Sequence, residues 1–289
     1  MSSAVAKTER VSMTSTEADA PHFFRFSLGK RYLHGLLMAT FLGLAATGLP
    51  LKFSETAWAS AFAHTIGGFR TVLFFHKTFA LLLTGGFLFH VTELLYRVFG
   101  KAEFSLLYGP NSMTPRPKDL EDLIGHMRWF FWAGPRPKFD RFAYWEKFDY
   151  WAVFWGMLII GGTGYVMWFA PFFARFMPGS LLNIVLVFHG EEALLAVWFI
   201  FMIHFFNSHL RPGHFPMDPV IFTGRLTEEE LKTDHPIEYE RLSHEGGLEA
   251  IQTDGTPLWL TNFARVIAVG AIGTGFILLV LTLAAFLSE

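Results

Sequence analysis

Five stretches of this chain are apolar for long enough to read as helices that cross a bilayer, and polar segments of unequal length separate them. They are expected over 31–53, 72–99, 149–173, 183–212 and 261–287. The fourth, NIVLVFHGEEALLAVWFIFMIHFFNSHLRP, is the most informative, because an otherwise apolar run carries His189, His204, His209, Glu191 and Glu192. Ionisable side chains at membrane depth are costly and mark function by default. His189 and His204 are separated by about 22 Å of helix rise, which sets one imidazole toward each end. The second stretch repeats the arrangement with His76 and His90. Fourteen residues return to within about 40° of the starting direction, so both rings share a side of that helix.

The first and third stretches also look alike. Thr47-Gly48 followed by Phe53 matches Thr163-Gly164 followed by Phe169, and the Phe75-His76 segment matches the Phe188-His189 segment. This reads as an internal duplication, with helices one and two repeated as three and four. It levels His76 with His189 and His90 with His204. Two helices that offer imidazoles at two matching depths suit a pair of stacked b-type haems, each iron held between two histidines. Zinc or di-iron sites fit less well, since they need ligands clustered at one level.

Composition agrees with a membrane protein: 52% of the 289 residues are hydrophobic, with 34 Phe and 9 Trp. A net charge of −2 argues against a nucleic-acid binder. The absence of cysteine excludes disulfides, iron–sulfur ligation and covalently attached haem on this chain. Cations gather in the first 31 residues (Lys7, Arg10, Arg25, Lys30, Arg31), in the connection after the second helix and after the fourth. The short loops hold only Lys52, Arg70 and Arg175. The positive-inside rule then puts the N-terminus in the cytoplasm and the C-terminus outside. No cleavable signal peptide is expected.

Other residues divide by position. His34 falls at the inner level, and His209 lies five residues past His204, rotated by roughly 140° on an α-helix. These surplus imidazoles leave room for a third haem. Glu191 and Glu192 read as a solvated helix start or as carboxylates at a haem edge. Gly85, Gly86, Gly161 and Gly162 remove side chains where helices approach. His22, His126, His214, His235 and His244 lie in tails or loops and are expected to be solvated.

Arg31-x-x-His34, Phe75-His76, the two spaced histidines on helix four, the segment from Tyr144 to Trp151, and HLRPGHFPMD with Phe222-Thr223-Gly224 together resemble a known family. It is that of the di-haem cytochrome b membrane subunits of respiratory formate dehydrogenases and nickel-iron hydrogenases, especially variants serving multihaem cytochrome complexes. The resemblance covers 25–225. It implies an outer haem on His76 and His189 and an inner haem on His34 and His204, which differs from the duplication's pairing of His90 with His204.

The expected protein is thus all-α and integral to the membrane. It has a disordered tail (1–24), a four-helix haem-binding domain (25–225), an acidic cytoplasmic segment (226–258) that is helical at most over 226–231, and a fifth transmembrane helix (259–289). It would carry electrons between a periplasmic iron–sulfur or multihaem partner and quinone or menaquinone. Arg141, Tyr144, Glu146 and Lys147 are the candidates for the quinone pocket. The alternative is a haem-containing anchor or relay with no quinone site.

Overall fold

The computed structural model describes residues 21–288 except 212 and 216. The expected tail falls largely outside these residues. In chain order the elements are β1 (His22–Phe24), α1 (Leu28–Lys52), α2 (Ala57–Thr65), α3 (Phe69–Leu95), α4 (Ser105–Tyr108) and α5 (Pro117–Phe130). There follow α6 (Tyr144–Gly156), resumed after a π-helical turn as Gly162–Trp168, α7 (Ala170–Phe173), α8 (Gly179–Trp198), α9 (Val220–Thr223) and β2 (Arg225–Thr227). The chain ends with α10 (Glu228–Asp234), α11 (Pro236–Glu245), α12 (Leu248–Ile251), β3 (Gln252–Thr253) and α13 (Leu258–Ser288).

Among the described residues, five helices are long and apolar enough to cross a membrane: Leu28–Lys52, Phe69–Gly100, Tyr144–Trp168, Gly179–Leu210 and Leu258–Leu287. The chain is an all-α, multi-pass membrane protein, as expected from the hydropathy pattern. Three spans are not uniformly α-helical. π-Helical turns occupy Tyr96–Gly100 at the end of the second span, Met157–Gly161 within the third, and Phe199–His204 and Phe206–Leu210 at the end of the fourth.

The chain divides into two compact units. One comprises Tyr32–Phe104, Lys147–Asp218 and Val266–Glu289, and so holds most of the spanning helices. Its buried cluster joins Ala45, Leu49 and Phe53 of the first span to Leu194, Val197, Phe201 and Phe205 of the fourth and Leu278 and Ala285 of the fifth. Small residues set these approaches. A Cβ added at Gly275 would stand 2.7 Å from Phe201, and one at Gly43 the same distance from Phe79. Gly86 likewise admits Leu36, whereas Gly85 and Gly162 meet nothing within 4 Å and Gly161 meets only Met157, four residues back on the same helix. Close packing therefore accounts for Gly86 alone of the four glycines singled out from the sequence.

The other unit comprises Met1–Arg31, Ser105–Glu146 and Pro219–Arg265. It corrects two expectations. Residues 22–24, placed in a disordered tail, form the central strand of a three-stranded sheet ordered β2-β1-β3. Phe23 opposes Leu226 on one side and Gln252 on the other, both antiparallel. The acidic segment after the fourth span, expected to be helical at most over 226–231, folds as two strands and three helices on a small core of Phe23, Leu226 and Leu231. Its first helix is fixed by a reciprocal cap: Thr227 Oγ1 accepts from the Glu230 N–H, and the Glu230 carboxylate accepts from the Thr227 N–H at 2.6 Å.

A buried ionic network ties these pieces together. Glu238, 1% exposed, receives Arg25 at 2.5 Å and Arg141 at 2.7 Å. Arg25 also donates to the Arg141 carbonyl, and Arg141 to the Arg25 carbonyl. His235 was expected to be solvated. It is instead half-buried, its Nδ1 donating to the Asp140 carbonyl at 3.0 Å and its Nε2 accepting from Arg25 at 3.2 Å. Its neutral form is thus built into the network, since a proton on Nε2 would face the guanidinium. His126 is also held, packed against Trp129, Phe139 and Trp145 with its Nδ1 3.1 Å from the Tyr144 hydroxyl. His22 sits in β1, and His214 pairs with Asp218 at 3.2 Å. His244 is exposed, as expected.

Burial followed by the nearby Arg25 charge lowers the His235 pKa from 6.5 to about 4. Burial alone would raise the Glu238 carboxyl, but the attraction of Arg25 and Arg141 holds it below the ordinary carboxylate range. Both folded-state values are depressed, so both groups contribute stability at neutral pH that is lost on acidification. The loss begins as pH falls below 6.5 through His235 and deepens below 4.5 through Glu238. Hydrogen exchange corrected for intrinsic rates should therefore show protection at 22–24 and 225–227 falling between pH 6.5 and 4. Replacing Glu238 by Ala should cost about 3–5 kcal/mol at neutral pH, because two arginines are left in place without their carboxylate. Undiminished protection in the variant would contradict the network's role.

Candidate functional site

The imidazoles of His76 and His189 come together. Their ring centres are 6.3 Å apart with planes at 82°. Each ring is seated in the same way on the neighbouring span. Thr47 Oγ1 lies 3.0 Å from His76 Nδ1, and Thr163 Oγ1 lies 3.2 Å from His189 Nδ1. The Ile160 carbonyl also lies 3.0 Å from His189 Nδ1. A Cβ added at Gly48 would stand 3.0 Å from His76 Cε1, and one at Gly164 would stand 3.0 Å from His189 Cε1. Thr47-Gly48 and Thr163-Gly164, matched in sequence as pieces of a repeat, thus do the same work: the threonine takes the ring nitrogen and the glycine leaves room for the ring.

The seat fixes the tautomer. Each threonine hydroxyl lies within donating distance of its own helix's preceding turn, Thr47 to the Gly43 carbonyl at 2.7 Å and Thr163 to the Ile159 carbonyl at 2.5 Å. Its oxygen is left as an acceptor toward the histidine, and a backbone carbonyl can only accept. Nδ1 therefore carries the proton in both rings, and the lone pair is on Nε2.

The remaining histidines form a different arrangement. His204 Nδ1 lies 2.9 Å from Asp149 Oδ2, which again puts the proton on Nδ1 and the lone pair on Nε2. The His204 and His209 ring centres are 6.4 Å apart, and His34 lies near enough to feel both. The 140° rotation expected between His204 and His209 does not hold. The Phe199–His204 and Phe206–Leu210 turns are π-helical, with i to i+5 bonding, so five residues make little more than one turn. His209 Nδ1 accepts the Asp218 backbone N–H at 3.3 Å, which assigns its proton to Nε2. His90 has its Nε2 3.0 Å from the Tyr150 hydroxyl and its ring against Tyr150 and Phe154. The structure thus groups His204 with His34 and His209, and directs His90 at α6.

Glu191 and Glu192 do not begin a helix, since α8 starts at Gly179. Glu191 pairs with Lys52 at 2.9 Å on an exposed face, and Glu192 accepts from Trp155 Nε1 at 3.4 Å. Of the four residues proposed for a quinone pocket, Arg141 is committed to Glu238 and Tyr144 bonds His126. Glu146 Oε2 receives the Ala143 N–H at 2.7 Å as the α6 cap, and Lys147 is 2% exposed.

Asp149 was missed. It stands in the expected third span next to the aromatic belt, and a lone acid at the start of an apolar run is an ordinary helix-end residue in sequence. Its five-residue offset from Tyr144 carried no signal for the distant His204.

No family model matches this chain, and no curated protein matches it.

The tautomer assignment is open to direct measurement. Nitrogen-15 spectra of histidine-labelled protein freed of bound metal groups should show Nδ1 protonated at His76 and His189. Thr47→Val should perturb only His76, and Thr163→Val only His189. Nε2-protonated rings at either position would overturn the seat described here.

Proposed function

We propose that this chain is a b-type cytochrome of a respiratory membrane complex. More particularly, we propose a di-haem, quinone-reactive subunit of the kind serving formate dehydrogenases, nickel-iron hydrogenases and multihaem cytochrome complexes. The observation that carries the reading is the His76–His189 pair. Two histidines would hold one haem iron between them, and neutral imidazole nitrogens are the donors it would take. The pair's separation is 6.3 Å. Both rings carry their lone pair on Nε2, a donor that suits ferric and ferrous iron alike, and Gly48 and Gly164 leave room for the rings.

Bound haem supplies reversible one-electron exchange. The chain's part is ligation, orientation of the rings and an apolar surround. His76 and His189 would hold one haem. His204 would hold a second, with His34 as its partner. That pairing is the one the resemblance implies, and Tyr150 lies 3.0 Å from His90 Nε2 while the Asp218 N–H bonds His209 Nδ1. A third haem would have to draw on those two residues and so has less to support it. The cation distribution supports a cytoplasmic N-terminus, a bacterial inner membrane, a periplasmic redox partner for the His76–His189 level and quinone or menaquinone at the other.

A second reading, a haem-bearing anchor or relay without a quinone site, is favoured by one observation. Arg141 and Glu146 are engaged in structural bonds rather than turned toward a ligand. Quinol-driven haem reduction by the purified protein separates the two. Reduction supports the quinone-reactive reading, and its absence in fully haem-loaded protein supports the relay.

Two measurements test the haem assignment. His76→Leu and His189→Leu should each lower the pyridine haemochrome count by one per chain and abolish the same low-spin signal. Loss of different signals would break the pair. Asp149→Asn should raise, by tens of millivolts, the potential of the component that His204→Leu abolishes, because a carboxylate partner makes the imidazole a stronger donor to ferric iron. The other component should not move. A shift in both, or in neither, removes Asp149 from that role.

A further inference from the structure

The connection between the second and third spans holds a helix with no place in the electron-transfer reading. α5 runs from Pro117 to Phe130, with its first turn fixed by Asp119, whose carboxylate receives the Arg116 N–H at 2.6 Å. Its two sides differ sharply. On one side Gly125 abuts Pro137 closely enough that a Cβ would stand 3.2 Å away. There His126 packs against Phe139 and Trp145 and bonds Tyr144. On the other, Leu120, Leu123, Ile124, Met127, Phe130 and Phe131 fall within an arc of roughly 120° and are between 38% and 64% exposed. An open depression of about 570 Å³ runs along this side, lined by Leu123, Ile124, Met127, Arg128, Phe131 and Ala133. Beyond it, Trp132 is 93% exposed on a backbone held at φ 55, a left-handed conformation that a bulky residue rarely adopts.

Its position says what covers this face. The unit containing α5 also contains Leu28–Arg31, Tyr144–Glu146 and Leu258–Arg265, the first turns of three of the five spanning helices. α5 is therefore held at one surface of the membrane by its own unit. Its composition matches that place: an apolar arc, exposed tryptophan at its end, and Arg128 at the arc's edge with a stem long enough to reach headgroups. We propose that α5 is an in-plane membrane helix whose Leu120–Leu123–Ile124–Met127–Phe131 face is embedded in the lipid at the boundary between headgroups and acyl chains. The attachment is apolar rather than electrostatic, since Lys118 and Arg128 are outnumbered by Asp119, Glu121 and Asp122. It should accordingly be insensitive to the content of anionic lipid.

The chain has no cysteine, so single spin labels are clean. Leu120→Cys, Ile124→Cys and Glu121→Cys, labelled in the full protein in phosphatidylcholine nanodiscs, give three sites on one helix. At 120 and 124, collisions with oxygen should exceed those with a water-soluble nickel chelate several-fold, and at 121 the order should reverse. Adding anionic lipid should leave this pattern unchanged. Chelate access at 120 and 124 equal to that at 121 would overturn the proposal by showing a solvated face. Protection at 120 and 124 from both reagents would overturn it in favour of a protein partner or second copy. Two sites on the apolar arc keep the test decisive if one substitution prevents folding.

Discussion

An imidazole in an apolar helix needs its second nitrogen satisfied by something that does not itself bring charge into the membrane, and the Thr-Gly seat meets that need twice. The threonine first returns its own hydroxyl proton to the preceding turn, so it costs the span no unpaired donor. What remains is an acceptor aimed at Nδ1, supported at His189 by a backbone carbonyl. The glycine that follows leaves room for the ring beside the helix that carries the acceptor. Ring direction, tautomer and helix spacing are thus set together, and the 6.3 Å separation of His76 and His189 follows from two copies of one device.

The polar unit solves a different problem by concentrating charge. Arg25, Arg141 and Glu238 are drawn from segments far apart in the chain, and the apolar core beside them is small. Burying such ions is expensive, so the arrangement holds only because nearly every bond is made: two arginines on one carboxylate, two reciprocal carbonyl contacts, and a neutral His235 to close the set. A unit held in this way is specific in its register and sensitive to acid. The same bonds explain why Arg141 looks like a ligand-binding residue in sequence and is a joint in the fold.

What was legible in the sequence follows from the range of the forces involved. Five spans were legible because hydrophobic length is a local property, and the His76–His189 level was legible because both rings stand at like positions in repeated segments. The sheet was not, since β1 is three residues long and its partners lie more than 200 residues away. Nor was the geometry around His204. A hundred degrees per residue is the wrong ruler where Phe199–His204 and Phe206–Leu210 wind as π-helix, and no residue in FIFMIH or FNSHL announces that winding. His235 was misread for a related reason: a histidine in a polar stretch is solvated unless a distant arginine and carbonyl enclose it.

His204 differs from His76 and His189 in what stands behind the ring, and the difference has a chemical consequence. At His76 and His189 the partners of Nδ1 are neutral, a hydroxyl and a carbonyl; at His204 the partner is the carboxylate of Asp149. A full negative charge behind an imidazole strengthens it as a donor far more than a neutral acceptor does. Under the proposed reading, the His76–His189 iron would therefore be easier to reduce than the His204 iron, before any difference in solvation is counted. The two sites would then be separated in potential by what lies behind a single ring.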